Sequence, residues 1–290
     1  MAAAVFYWSE IMFYLILAIL SNSVLSLIMR LGEGRVRCRN AMFAANYFVC
    51  SAMAVGFMGV SNLIPAASGL THATLMGLAN GVVYLSSLML MQKNIHTNGV
   101  VLPSVFSRIG ALIVPLAVSI LIFGDVPTWM QAVGFVLAIA AILLINYRRD
   151  GAPANSMMLL FALLLMDGIV AIMSMIFNKT GNIALSDHFL FFTFASACLM
   201  CLFLIAKNHE KPALVDVGFG VLFGVPNFLS SKFLLQALEA VNPVIVYPMR
   251  SVTSIVIITL AGVLFFREKL TKRQLIAMAI ILVALILLNI

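Results

Sequence analysis

The sequence predicts an all-α integral membrane protein of ten transmembrane helices, arranged as two inverted five-helix repeats. Three observations carry this: the composition, the spacing of the apolar runs, and an internal alignment. Of 290 residues, 63% are hydrophobic and only 9% charged. A soluble domain needs about 25% charged residues to face water, so most of this surface faces lipid.

A span takes about 20 apolar residues at 1.5 Å each. Breaks at charged, Gly and Pro clusters put helices near 11–30, 41–60, 70–92, 99–123 and 128–147. A second set falls near 156–177, 188–206, 214–237, 243–266 and 272–290. The first repeat thus covers 1–147, a linker 148–155, and the second repeat 156–290. The run from Ile11 to Met29 lacks a basic flank before it and is long enough to span, so it reads as a helix, not a cleaved leader.

The net charge of +7 does not point to nucleic acid, which needs a basic patch or stripe on a folded surface. The cations sit in the breaks. The loops leading from odd to even helices hold thirteen of the 17 Lys and Arg, including Arg30, Arg35, Arg37, Arg39, Arg148, Arg149, Arg267 and Lys269; the opposite loops hold only Lys179. Short loops rich in Lys and Arg stay cytoplasmic, so both termini are expected on the non-cytoplasmic side of a multi-pass protein in the bacterial inner membrane.

The third observation is the repeat. Residues 122–146 align without a gap on 265–289, placing Asp125 on Glu268, Thr128 on Thr271, Gln131 on Gln274 and Asn146 on Asn289. The block LSSLMLMQ at 85–92 falls on LSSKFLLQ at 229–236. A unit with an odd number of helices inserts its second copy upside down. Inverted repeats mark alternating-access carriers, with the binding site at the repeat interface near the midplane.

With the 5+5 duplication, and with an acidic turn leading into the last helix of each half (GDVPTWMQAVGFVLAIAAILL and REKLTKRQLIAMAIILVALILL), the chain resembles the drug/metabolite transporter superfamily, specifically its ten-helix, EamA-like members. The resemblance implies a carrier whose central cavity is lined mainly by helices 1, 3, 4, 6, 8 and 9, with helices 5 and 10 peripheral. Members of that family commonly keep both termini in the cytoplasm; the loop charges of this chain point the other way.

Three cations lie inside predicted spans: Arg108, Lys232 and Arg250. Each costs about 2.5–3.5 kcal/mol at the bilayer centre on insertion scales, and such residues usually face the bundle interior and mark a substrate or ion path. Lys232 falls where the first copy has Leu88. Pro103 and Pro248 precede the two arginines, and Pro226 precedes Asn227; proline frees backbone groups, tolerated where a helix lines protein or a cavity. Asp167 is the one acid deep in a span, either a proton- or ion-coupling group or the partner of Lys232 or Arg250; Glu10, Asp187, Asp216 and Glu239 sit near span ends. An excess of buried positive charge is expensive, and an anionic phosphate- or carboxylate-bearing solute would offset it. Asn22, Tyr84, Asn227 and Tyr247 are the polar groups expected beside that solute, with Asn46 and Asn80 also inside spans. Each of these also serves as ordinary interhelical glue.

The expected function is therefore secondary transport of a small organic anion by alternating access. Export of amino acids or related neutral metabolites is the alternative within transport. Outside it stands a lipid-headgroup translocator or non-transporting membrane partner, holding anionic lipid on Arg35, Arg37 and Arg39. Expected partners are the solute and membrane lipid, with no nucleic acid and a monomeric or homodimeric state. No P-loop, GxGxxG or HExxH motif is present, and no nucleophile–base or metal set can be assembled, so neither an enzyme nor a cofactor or metal is expected. Cys198 and Cys201 have CxxC spacing but lie one turn apart in an apolar run, where Cys packs as a small hydrophobe.

Overall fold

The computed structural model describes every residue except 1, 33, 60–61, 63–64, 66–67, 99–100, 147–155, 267–271 and 289–290. The linker at 148–155, the loop cations Arg148, Arg149, Arg267 and Lys269, and the repeat partners Glu268, Thr271 and Asn289 lie outside the described residues. Among the described residues there are ten α-helices and no strand: α1 (Ala2–Gly32), α2 (Arg39–Met58), α3 (Leu70–Asn98), α4 (Val101–Phe123), α5 (Trp129–Asn146), α6 (Met157–Thr180), α7 (Ser186–Lys207), α8 (Leu214–Ala240), α9 (Pro243–Phe266) and α10 (Lys272–Leu288). Eight are long and apolar enough to cross a membrane. The two shorter ones, α5 and α10, have 18 and 17 residues, roughly 26 Å of helix against a hydrocarbon core of about 30 Å.

The helices follow the apolar runs, with one instructive difference. α3 continues past residue 92 to Asn98 through a polar stretch that reads as loop. Its amides explain why. Asn94 Nδ2 donates to the Leu159 carbonyl at 2.8 Å, and the Ser156 N–H donates to Asn98 Oδ1 at 3.0 Å. The tail of α3 thus gives the free Ser156 N–H ahead of α6 an acceptor and the Leu159 carbonyl a second donor. At the head of α5, Thr128 and Gln131 form a reciprocal capping box, Gln131 N–H to Thr128 Oγ1 at 3.2 Å and Thr128 N–H to Gln131 Oε1 at 3.0 Å. Pro103 lies in the first turn of α4, where a proline costs no backbone bond; the interior prolines are Pro115, Pro226 and Pro248.

The chain forms two compact units, and each draws helices from both halves of the sequence. Unit 1 comprises residues 1–85 and 173–240; unit 2 comprises 86–172 and 241–290. In unit 1, α2 packs on α7 and α8, and α1 packs on α8. Glycine makes the α2–α8 approach possible: a Cβ on Gly220 would run into the Met42 carbonyl, and one on Gly224 into Val49. This small-xxx-small pattern lets two backbones close on each other in lipid. In unit 2, α5 packs on α10 and α4 on α9 around a core of Leu112, Phe135, Ala138, Ile142, Val252, Ile255, Ile281 and Leu288.

Candidate functional site

Unit 1 gathers its polar groups along one line. Near one end, Lys232 of α8 donates to both carboxylate oxygens of Asp187, at 2.6 and 2.8 Å. Asp187 sits in the first turn of α7, where the helix dipole favours a negative charge. The Lys232 ammonium also lies 4.1 Å from the centroid of Phe57, a cation–π contact. The side chains keep only 14% and 20% of their exposure, so this is a largely desolvated pair.

About 7.5 Å further along α8, Asn227 bridges three helices. Its Nδ2 donates to Asn46 Oδ1 at 3.1 Å, and its Oδ1 accepts from the Tyr84 hydroxyl at 3.3 Å. The Cys50 thiol donates to the Gly224 carbonyl at 3.3 Å. Aromatic rings join this amide centre to the ion pair. Phe57 stacks on Phe228 at 5.5 Å, Phe228 meets Phe194 at 6.4 Å, and Phe194 contacts both Tyr47 and Tyr84 at 6.1 and 6.3 Å. Asn46 and Tyr47 are fully buried, yet Asn46 Nδ2 and the Tyr47 hydroxyl have no hydrogen-bond partner among the described residues. A buried polar atom left unmade costs about 1–3 kcal/mol, so each is a demand for a further polar group or a water.

The opposite end of unit 1 is closed by carboxylates. The Cys38 thiol and Asn40 Nδ2 donate to the two oxygens of Glu210, at 2.9 and 2.8 Å. The Arg37 and Ala213 backbone N–H groups donate to Asp216 at 2.8 and 2.9 Å. Burial, and then the Glu210 carboxylate, push the Cys38 thiol above its ordinary range.

Unit 2 holds a different set. Asp167 of α6 accepts a hydrogen bond from Ser87 of α3, and Ser107 of α4 presents a second hydroxyl to it. Close approach of α4 to α6 rests on glycine, since a Cβ on Gly110 would meet the Leu164 carbonyl and one on Gly168 would meet Val114. Tyr247 of α9 is buried and donates to the Ala171 carbonyl at 2.7 Å. Arg108 and Arg250 are half-buried on α4 and α9. Arg108 meets no carboxylate among the described residues.

Of the expected residues, Lys232, Tyr84 and Asn227 come together in unit 1, while Arg108, Asp167, Arg250 and Tyr247 belong to unit 2. Asn22 lies half-buried in α1, its carbonyl accepting from Ser26. Within unit 1 Lys232 takes Asp187, and within unit 2 Asp167 takes serine. Asp187 stood out only as an acid near a span end, and nothing in the sequence marks Phe57, Tyr47 or Ser87 as a site residue on its own. Ser87 had a signal, since it lies in the repeated LSS block beside Leu88, the counterpart of Lys232. Phe57 and Tyr47 had none, being two among many aromatic residues in apolar runs. Among the described residues, no group of three His, Cys, Asp or Glu is arranged to hold a metal.

The chain is similar to known proteins in three ways. An uncharacterised protein of Haemophilus influenzae is 27% identical over 201 residues, covering 67% of this chain and 68% of the relative. A protein of known crystal structure shares the fold, with a TM-score of 0.76 at 14% identity over 96% of each chain. Residues 155–290 match the EamA-like transporter family. That match covers the second half of the chain, which is similar to the EamA-like transporters, and eight membrane-length apolar helices stand beside it.

Proposed function

We propose that the chain is a secondary carrier for a small neutral or zwitterionic metabolite, amino acids being the first class to test. The observation that carries this reading is the Lys232–Asp187 pair. Lys232 was one of three charges that favoured an anionic solute, and Asp187 neutralises it in place. What remains around it in unit 1 is an aromatic row and a set of amides, with Asn46 Nδ2 and the Tyr47 hydroxyl among the buried polar atoms unmatched within the described residues. Such a surface suits an apolar side chain and a few directed hydrogen bonds. A solute bearing both an ammonium and a carboxylate can exchange with the pair without a change of net charge.

Movement by alternating access of two inverted halves fits the repeated sequence blocks, with the basic loops facing the cytoplasm of a bacterial cell and both termini outside. An anionic solute is the second reading, favoured by Arg108, which meets no carboxylate among the described residues. Uptake into proteoliposomes separates the two. Labelled amino acids are expected to accumulate over protein-free vesicles and to be competed by unlabelled amino acids. Competition confined to organic phosphates and dicarboxylates would reverse the assignment.

A further inference from the structure

Asp187 and Asp167 have opposite surroundings, and the difference gives Asp167 a task. Asp187 faces an ammonium. Asp167 faces two hydroxyls, Ser87 from α3 and Ser107 from α4, and among the described residues no cation is ion-paired with it. Within unit 2, the charged or titratable groups on the helices packed around it are Arg108 on α4, Lys93 and His96 on α3, and Arg250 and Tyr247 on α9. Lys93 and His96 stand about 9 and 13 Å further along α3 than Ser87. Tyr247 spends its proton on the Ala171 carbonyl.

A carboxylate held by neutral hydroxyls in a lipid-embedded bundle is costly as an anion. A serine hydroxyl, however, both donates and accepts. It donates to the ionised carboxylate, and after a rotation about its C–O bond it accepts from the protonated carboxyl. Both states of Asp167 are therefore hydrogen-bonded by the same partners, with Ser87 itself buried. We propose that Asp167, held by the Ser87 and Ser107 hydroxyls, is the site that takes up and releases the coupling proton of this carrier. In the balanced step the Asp167 carboxylate takes one proton from water on one side of the membrane, and the carboxyl returns it to water on the other. No other group changes charge. The inference deepens the transport reading, since a coupling proton presupposes a solute to couple to.

Two measurements on the full chain test it. Difference potentiometric titration of the wild type and D167N in lipid nanodiscs needs no solute. It is expected to find one fewer titrating proton in D167N, and in S87A the same proton at a midpoint about one pH unit more alkaline, because a donor to the ionised form is lost. No difference between wild type and D167N would overturn the proposal, as would a midpoint that S87A leaves unmoved. In proteoliposomes with the membrane potential collapsed and a one-unit pH gradient, a labelled amino-acid mixture is expected to accumulate about tenfold in the wild type, the value for one proton per solute. D167N is expected to equilibrate the mixture without accumulating it. Accumulation by D167N equal to the wild type would also overturn the proposal. Absence of any wild-type uptake would count against the amino-acid reading alone, and the titration would still decide the proton site.

Discussion

Asp187 of unit 1 and Asp167 of unit 2 are the same side chain in two solvents. Asp187 stands at a helix N-terminus, 2.6 Å from an ammonium that itself rests on an aromatic face. Asp167 lies within a helix and, among the described residues, meets hydroxyls and no cation. The first arrangement fixes a charge; the second leaves it free to change. A membrane-embedded ion pair is worth keeping only if both partners remain, because losing one strands the other in low dielectric. A hydroxyl-lined carboxylate has no such partner to strand.

The largest expected effect breaks unit 1. D187N leaves Lys232 without its counter-charge and is expected to cost about 2–4 kcal/mol of stability, the lower part of the range for buried pairs because this one keeps some exposure. K232M is expected to cost a similar amount, and the double variant to recover most of the loss. The readout is the melting temperature in detergent across the double-mutant cycle; additive losses would show that the pair does not act as a unit. D167N is expected to be far milder, since an amide can still accept from Ser87.

Next in size, N227A removes the bridge between Asn46 and Tyr84 and is expected to cost about 1–3 kcal/mol by leaving buried groups unmatched. Its melting point should fall further than that of N40A, which removes a single contact to Glu210 at the other end of the unit. T128A opens the capping box at α5 and is expected to cost about 1 kcal/mol, again read as a melting shift. The smallest effect is chemical. Because burial and Glu210 raise the Cys38 thiol above its ordinary range, its labelling by a maleimide at neutral pH is expected to be slower in the native protein than after denaturation, and faster in E210Q than in the wild type.

The comparison also marks what the sequence carries. The helices were legible because each is an apolar run closed by charge, and eight of ten begin and end within a few residues of where those runs break; α1 begins earlier and α3 ends later. The end of α3 was not, since Asn94 and Asn98 look like loop residues until α6 supplies their partners. Asp167 and Lys232 stood out as charges within apolar runs. Their partners did not, because pairing across 45 or 80 residues depends on which helices meet. That depends in turn on glycines such as Gly110 and Gly168, whose role is visible only once a neighbour presses on them.

The difference between the two acids is tested most directly by infrared spectroscopy of the carboxyl C=O stretch at neutral pH, with D167N and D187N each subtracted from the wild type. The account predicts that D167N removes a protonated-carboxyl band that exchanges with deuterated water, and that D187N removes only carboxylate absorption. A protonated band assigned to Asp187, or none assigned to Asp167, at neutral pH would contradict it.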